Sequence, residues 1–283
     1  MKSSSIKDPL MNFATVGGVT LHYRVDGHKC GAPLVFVNSL GTDLRIWDGV
    51  LNRLATDWRI IRYDKRGHGL SDSPQGPYAM GEERADLQGL LAHLHVESPV
   101  VVGVSVGGMI AVDYAAQHPV RALVVCDSAL RFGTADYWNT RSAAIQGQGM
   151  EAMAPTLVPR WFAPDFAERE PATYQGYINM LARMPAQGYI ATCQLLANAD
   201  VGDAARAVEA PALVLGGAQD HSSPPEVVRE LADALPDAQF ALIENAGHLP
   251  CIEQPATVAQ KMAQFFAARL SVDNQKRVRA NDQ

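Results

Sequence analysis

Along most of the chain, short runs of aliphatic and β-branched residues alternate with longer amphipathic stretches. The runs fall at residues 34–37, 60–63, 100–104, 123–126, 212–215 and 240–243. Continuous apolar runs of this length, without in/out alternation, read as strands covered on both faces. Two earlier strands at 13–16 and 19–25 are joined by Gly17-Gly18, a pair that supplies the positive φ of a tight hairpin turn, so the sheet begins with an antiparallel edge. Helical periodicity appears around 44–55, 82–93, 108–117, 225–235 and 255–270. This β-then-α rhythm predicts an α/β fold: a mostly parallel eight-stranded sheet with helices on both faces.

The rhythm breaks once, between residues 131 and 210, where no strand-like run occurs and Trp, Met, Tyr, Arg and Pro are scattered over helical patterns. The break predicts a helical cap inserted after the sixth strand, over the carboxyl ends of the strands where ligands of open α/β sheets bind. The expected organisation is therefore a core at 11–130 and 211–270, a cap at 131–210, and a polar tail at 271–283 that frays.

Composition narrows the function classes. A 283-residue chain that is 47% hydrophobic is long enough to bury a large core. With 24 Lys+Arg against 30 Asp+Glu, a formal charge of −6 and no basic block, nucleic acid is not an expected partner. Cys30, Cys126, Cys193 and Cys251 share no metal-ligand spacing and read as reduced core residues. Residues 1–10 lack the apolar segment of a signal peptide, Met11 is an alternative start, and no apolar stretch is long enough to span a bilayer. A cytoplasmic protein is expected, and self-association is neither implied nor opposed.

Gly103-Val104-Ser105-Val106-Gly107 fits G-x-S-x-G between an apolar strand and a helix. That is the context of a nucleophile elbow, where flanking glycines let a strained turn pack closely. Ser105 is the expected nucleophile. A serine hydroxyl needs a base to take its proton and a carboxylate to fix the base's tautomer. In this architecture the order is Ser, acid, His, which points to Asp220 after the run 212–215 and to His248 after the run 240–243. Asp127, at the end of the strand that follows the elbow helix, is an alternative acid, or a cap for the start of the insert. His221 precedes the last strand and is misplaced for a base; His22, His93, His95 and His118 read as structural. Acyl transfer also needs two backbone N–H groups for the oxyanion, and the expected donors are Val106 and, in the loop Asn38-Ser39-Leu40-Gly41, Leu40. No phosphate loop, dinucleotide fingerprint or metal cluster is present in the sequence, so no cofactor is expected.

With these residues placed, the chain resembles the α/β-hydrolase fold superfamily over nearly its whole length. The segment Asp64-Lys65-Arg66-Gly67-His68-Gly69-Leu70-Ser71 resembles that superfamily's structural turn after the fourth strand, which makes His68 structural. Within the superfamily the chain is most similar to 3-oxoadipate enol-lactonases, enzymes of bacterial aromatic-ring catabolism by the β-ketoadipate pathway. The resemblance rests on Asn38-Ser39-Leu40-Gly41-Thr42, on Gly107-Gly108-Met109-Ile110, and on Phe132-Gly133-Thr134 with Trp138 and Arg141. Further matches are Arg160-Trp161-Phe162 with Pro164 and Phe166, Gly188-Tyr189 with Cys193, and Ala199-Asp200. Two features depart from it. Leu196-Ala197-Asn198 stand where the lactonases usually carry an Arg-Asp pair, and Gly247-His248-Leu249-Pro250 is closer to other hydrolases.

The resemblance implies a serine hydrolase that opens a small anionic enol-lactone through an acyl-serine. Its acetate arm calls for a bidentate cation, and Arg141, one helical turn beyond Trp138, is the candidate, with the outward surface as its alternative. Trp138 and Trp161 can wall the ring or serve as packing. The competing readings are a general carboxylesterase or a C–C bond hydrolase on the same scaffold, and a small-molecule receptor of the same fold without turnover.

Overall fold

The computed structural model describes residues 11–54 and 56–270. The expected fraying tail and the choice between Met1 and a later start lie outside the described residues. The eight strands are β1 (Asn12–Val16), β2 (Val19–Gly27), β3 (Ala32–Val37), β4 (Trp58–Tyr63), β5 (Val100–Val104), β6 (Ala122–Cys126), β7 (Ala212–Gly217) and β8 (Ala238–Ile243). They form one sheet in the order β1-β2-β4-β3-β5-β6-β7-β8. The pairs β1·β2 and β2·β4 are antiparallel, and every pair from β4 to β8 is parallel. The β1–β2 hairpin turns on Gly17 and Gly18 at φ of 56° and 83°, with Val16 opposite Val19, as the glycine pair requires.

Every residue of β5, β6 and β7 is buried, which explains their unbroken apolar runs. β8 corrects the expectation from its run: it has a neighbour on one side only, Phe240 is half-buried and Leu242 is exposed, so it is an edge strand. The cysteines need a correction too. All four are free, but Cys30 is exposed and only Cys126, Cys193 and Cys251 are buried.

The helical stretch expected near residue 44 is a 3₁₀ turn, Leu44–Trp47, followed by the short α1 (Asp48–Leu51); Asp43 starts it by accepting the Arg45 N–H at 3.0 Å. Crossover helices α2 (Met80–His93) and α3 (Val106–Ala115) pack on each other. Between β6 and β7 run α4 (Ala135–Leu157, broken at Gly149), α5 (Phe166–Arg169), α6 (Pro171–Ala182), α7 (Ala186–Asn198) and α8 (Gly202–Ala207), with α4 packed on α6 and α7. The chain closes with α9 (Pro225–Ala234), α10 (Pro250–Glu253) and α11 (Pro255–Arg269), the last packed on α1. No helix of the described residues is long and apolar enough to cross a membrane.

Among the contacts that join the helical segment to the sheet, two bring backbones together. At the first, the turn after β4 meets α7 backbone to backbone: a Cβ on Gly188 would lie 2.2 Å from the Gly67 carbonyl oxygen. At the second, the loop after β8 is bonded to the chain after α4. Leu249 N–H donates to the Trp161 carbonyl at 3.0 Å, and Glu253 accepts from Gly247 N–H at 2.6 Å and from Ala163 N–H at 3.0 Å. Burial raises the Glu253 carboxyl to about 7 against the two N–H donors that favour its charge.

Both contacts bear on stability. Gly188→Ala forces the two backbones apart and should cost about 1–3 kcal/mol, read as a lower urea midpoint with the slope unchanged. Because folded Glu253 keeps its proton up to about pH 7 and the unfolded chain releases it near 4.5, the folded state binds more protons between those values. Stability of the wild type should therefore fall, relative to Glu253→Gln, as pH rises through that window. Urea titrations of both proteins across the window check this, and a constant difference would contradict it.

Candidate active site

Ser105 sits between β5 and α3 at φ 60° and ψ −126°, a left-handed conformation that costs a residue with a Cβ about 1–3 kcal/mol. Four hydrogen bonds hold it there: its N–H to the Cys126 carbonyl at 2.9 Å, and its own carbonyl to Gly108 N–H and the Ser128 hydroxyl, each at 2.8 Å, and to Met109 N–H at 3.2 Å. The flanking glycines permit the turn. A Cβ on Gly103 would meet Gly107 O at 2.1 Å, and one on Gly107 would meet Val37 O at 2.4 Å.

His248 lies in the loop after β8, and its Nδ1 is 2.7 Å from Asp220 Oδ2. Asp220 is reached from β7 by a tight turn, with its N–H on the Gly217 carbonyl at 3.2 Å. Its other oxygen, Oδ1, accepts Ser222 N–H at 2.6 Å, and Ser223 Oγ donates to Oδ2 at 2.6 Å. Burial works to raise the Asp220 carboxyl, but His248, Ser223 and Ser222 outweigh it and hold the group below the usual carboxylate range. Asp127, the alternative acid, is fully buried at the end of β6; its Oδ1 accepts Gly217 N–H at 2.6 Å, and among the described residues no hydrogen bond joins it to His248. His221 is exposed.

The loop 38–42 is pinned at nearly every residue. Asn38 donates through Nδ2 to the Tyr63 carbonyl at 2.8 Å and accepts Trp47 Nε1–H at 3.1 Å, and Thr42 Oγ1 donates to the Ser39 carbonyl at 3.0 Å. His68 completes the set. Burial, helped by the Lys65 charge, pushes its imidazole well below the usual range, so it is neutral, and Nδ1–H donates to Arg66 O at 2.9 Å while Nε2 accepts Gly41 N–H at 3.1 Å. The structural reading of His68 thus becomes specific, since its imidazole holds this loop in place. The N–H groups of Leu40 and Val106 have no protein acceptor among the described residues, and Val106 is the first residue of α3, whose leading N–H groups have no partner within the helix.

Ser105 and His248 open on one cavity of about 220 Å³. Leu40, Trp138, Arg141 and Trp161 line it, so the structure brings the sequence-predicted residues of both segments to the serine. Val106 is buried beside Ser105 and presents only its backbone. Arg141 faces inward: its guanidinium donates to the Tyr137 hydroxyl and lies 4.7 Å and 5.0 Å from the Tyr137 and Trp138 rings. Phe132 meets His248 edge-on at 6.4 Å between ring centres. Asn198, at the departure from the lactonase pattern, is exposed and bonds back to Gln194 O at 2.9 Å, away from the cavity.

Sequence reasoning missed Ser223, Glu253 and the position of Arg160. Arg160 also lines the cavity, with its guanidinium 5.8 Å from the Tyr137 ring, and Ser222 Oγ donates to its carbonyl at 3.1 Å. Neither Arg141 nor Arg160 forms an ion pair among the described residues, and no Asp or Glu lines the cavity. Two positive charges therefore face an opening beside a serine, in a protein whose net charge is −6.

Over 243 residues, 85% of this chain and 91% of the relative, the sequence is 33% identical to 3-oxoadipate enol-lactonase 2 of Acinetobacter baylyi. The crystal structure of an enol-lactonase from Burkholderia xenovorans LB400 superposes with a TM-score of 0.88 at 33% identity, covering 90% of this chain and all of that one. A thermophilic esterase from Thermogutta terrifontis, solved with malate bound, superposes with a TM-score of 0.84 at 27% identity, covering 91% of this chain and 98% of that one. Residues 34–261 match the alpha/beta hydrolase family, and the chain belongs to it.

Proposed function

We propose that this hydrolase opens a small enol-lactone bearing a carboxylate arm, with 3-oxoadipate enol-lactone as the specific substrate and 3-oxoadipate as the product, in the cytoplasm and as part of aromatic-compound catabolism. The observation that carries the reading is the acid-free cavity in which Arg141 and Arg160 face the same space as Ser105 and His248. A neutral ester has no use for two unpaired guanidiniums; a carboxylate does, and arginine binds it with fixed planar geometry.

In this reading Ser105 attacks the ring carbonyl while His248 takes its proton, and Asp220 fixes the imidazole tautomer and stabilises its charged form. The N–H groups of Val106 and Leu40 hold the tetrahedral oxyanion, each worth on the order of a hundredfold in rate. Pinning of the loop 38–42 supports that role, since a donor that does not move on reaction costs no reorganisation. Collapse of the intermediate breaks the ring C–O bond and releases an enolate. An enol is more acidic than an alkyl alcohol, so its departure asks little of a general acid; the enolate takes up the proton held by His248, which returns to its neutral form, and the resulting enol tautomerises to the ketone. The acyl group stays on Ser105 at the other end of the same opened chain. Water, deprotonated by His248, then cleaves the ester and leaves a linear keto-dicarboxylate.

Residues 131–210 serve in this reading as the cap that selects the substrate, with Trp138 and Trp161 walling the ring. A general carboxylesterase remains the second reading. It is favoured by the departure at Leu196-Ala197-Asn198, where Leu196 gives the cavity an apolar wall.

The test is the rate of ultraviolet absorbance loss for freshly generated 3-oxoadipate enol-lactone, run beside a neutral p-nitrophenyl ester. Fast lactone loss that disappears in Ser105→Ala, with much slower ester turnover, is expected; ester turnover without lactone turnover would move the protein to the esterases. Arg141→Ala should raise KM for the lactone by roughly tenfold or more, the value of a charge-assisted hydrogen bond, while leaving KM for the ester nearly unchanged. Equal effects on both substrates would remove Arg141 from the binding site.

A further inference from the structure

Asp127 plays no part in the reaction above, yet its setting is costly. It is fully buried, and it is a non-glycine residue at φ 42°. Its backbone N–H is bonded to the Leu215 carbonyl at 2.9 Å and its Oδ1 to Gly217 N–H at 2.6 Å, so the side chain is held between the ends of β6 and β7. The other oxygen, Oδ2, is buried without a donor. Gly217 links this carboxyl to Asp220: its N–H donates to Asp127 Oδ1 at 2.6 Å and its carbonyl accepts the Asp220 N–H at 3.2 Å, which sets the two buried carboxyls side by side, each acting on the other. Two carboxylates cannot bond each other while both are ionised, because each offers only acceptors, and two buried negative charges in contact repel strongly.

We infer that Asp127 is a carboxylic acid that keeps its proton in the resting enzyme and donates it in a hydrogen bond to Asp220, so acting as a positioning residue for the acid that holds His248. The inference rests on the roles of Asp220 and His248 in the proposed reaction.

The donors decide which partner holds the proton. Asp220 accepts from His248 Nδ1, Ser223 Oγ and Ser222 N–H, all of which favour its ionised form. Among the described residues Asp127 accepts from Gly217 N–H alone. The ionisable groups acting on Asp127 are Asp220 and Glu253, and the thiols of Cys126 and Cys251 stand close enough to feel its charge. None of these four is a cation. Burial and the Asp220 charge accordingly push the Asp127 carboxyl well above its usual range, while that of Asp220 is held down. Environments that drive two neighbouring carboxyls apart assign the acid and the base between them. Protonated Asp127 would give Asp220 a fourth donor and tie the ends of β6 and β7 to the histidine loop through one chain of hydrogen bonds.

The test compares Asp127→Asn, Asp127→Ala and Asp220→Asn, followed with the p-nitrophenyl ester. Asparagine keeps a donor for Asp220 and an acceptor for Gly217 N–H, so it should retain most of the activity and the wild-type pH profile. Alanine removes both, and should lower kcat roughly tenfold to a hundredfold with KM little changed. The Ala variant should also move the acid limb of kcat/KM to higher pH, since Asp220 loses a donor that favours its ionised form; a merely structural residue would not move that limb. Loss in Asp127→Asn as deep as in Asp220→Asn would mean that Asp127 works ionised and would overturn the inference. A readout independent of turnover comes from the wild type carrying ¹³C-labelled aspartate side chains. One carboxyl signal should stay protonated at neutral pH, and titration of every aspartate in the usual carboxylate range would overturn the inference even if no variant folds. Activity surviving in Ser105→Ala would defeat the mechanism above while leaving this signal in place, so the two failures are distinguishable.

Discussion

The backbone of Ser105 is the constraint around which the rest is arranged. Its left-handed conformation costs about 1–3 kcal/mol and persists only because neighbouring structure over-determines it. β5 delivers the chain into the turn from a fully buried strand, α3 carries it away through a fully buried helix, and β6 holds it by the Cys126 carbonyl. Gly103 and Gly107 stand where no Cβ fits, so the strand, the helix and the loop after β3 approach closely enough for the turn to be locked. What the strain achieves is position: the serine leads the helix on the wall of a cavity, with the free N–H of Val106 next to it.

A second layer of buried polar groups keeps the surrounding loops from relaxing. Asn38, Thr42 and His68 pin the loop after β3. Ser222 and Ser223 wrap the Asp220 carboxylate, and Ser222 also bonds to the Arg160 carbonyl, so the acid's position and the wall of the cavity are coupled. Glu253 does the same for the histidine loop, joining Gly247 to Ala163. Each of these bonds satisfies a group whose burial would otherwise be expensive, which ties the fold's stability to the geometry of the site.

Much of this is legible in the sequence, for reasons that differ by element. The elbow reads out because its chemistry, its strand and its helix are contiguous; β3 to β7 read out because buried parallel strands leave apolar runs, and β1 and β2 because Gly17-Gly18 marks their turn. β8 reads falsely as covered on both faces, since an edge strand can carry the same run and only the missing neighbour exposes Leu242. Cys30 misleads for a similar reason: composition says where cysteines usually lie, not which loop a given one occupies. Asp127 and Asp220 each follow a strand, and position favours Asp220 while leaving Asp127 as an alternative, whereas the 2.7 Å contact with His248 separates them at once. Glu253 gives no signal because its partner Ala163 lies 90 residues away in the chain, and Ser223, three residues from Asp220, gives none because a serine in a loop carries no mark of the direction its hydroxyl takes. The inward direction of Arg141 depends on how α4 packs, and helical spacing from Trp138 supplies only the shared face.

The cavity joins these parts: a strained serine, a histidine held by a well-bonded carboxylate, two unpaired arginines and a fixed loop with a free N–H. The central claim is that Ser105 is a nucleophile activated by this setting. The most direct measurement is stoichiometric labelling with a fluorophosphonate, followed by intact mass and peptide mapping, in the wild type and in His248→Ala. The account predicts one adduct, on Ser105, with loss of all esterase and lactonase activity in step with labelling, and much slower labelling in His248→Ala. No adduct on Ser105, or full activity in the labelled protein, would contradict it and leave the site as a binding pocket for small anions.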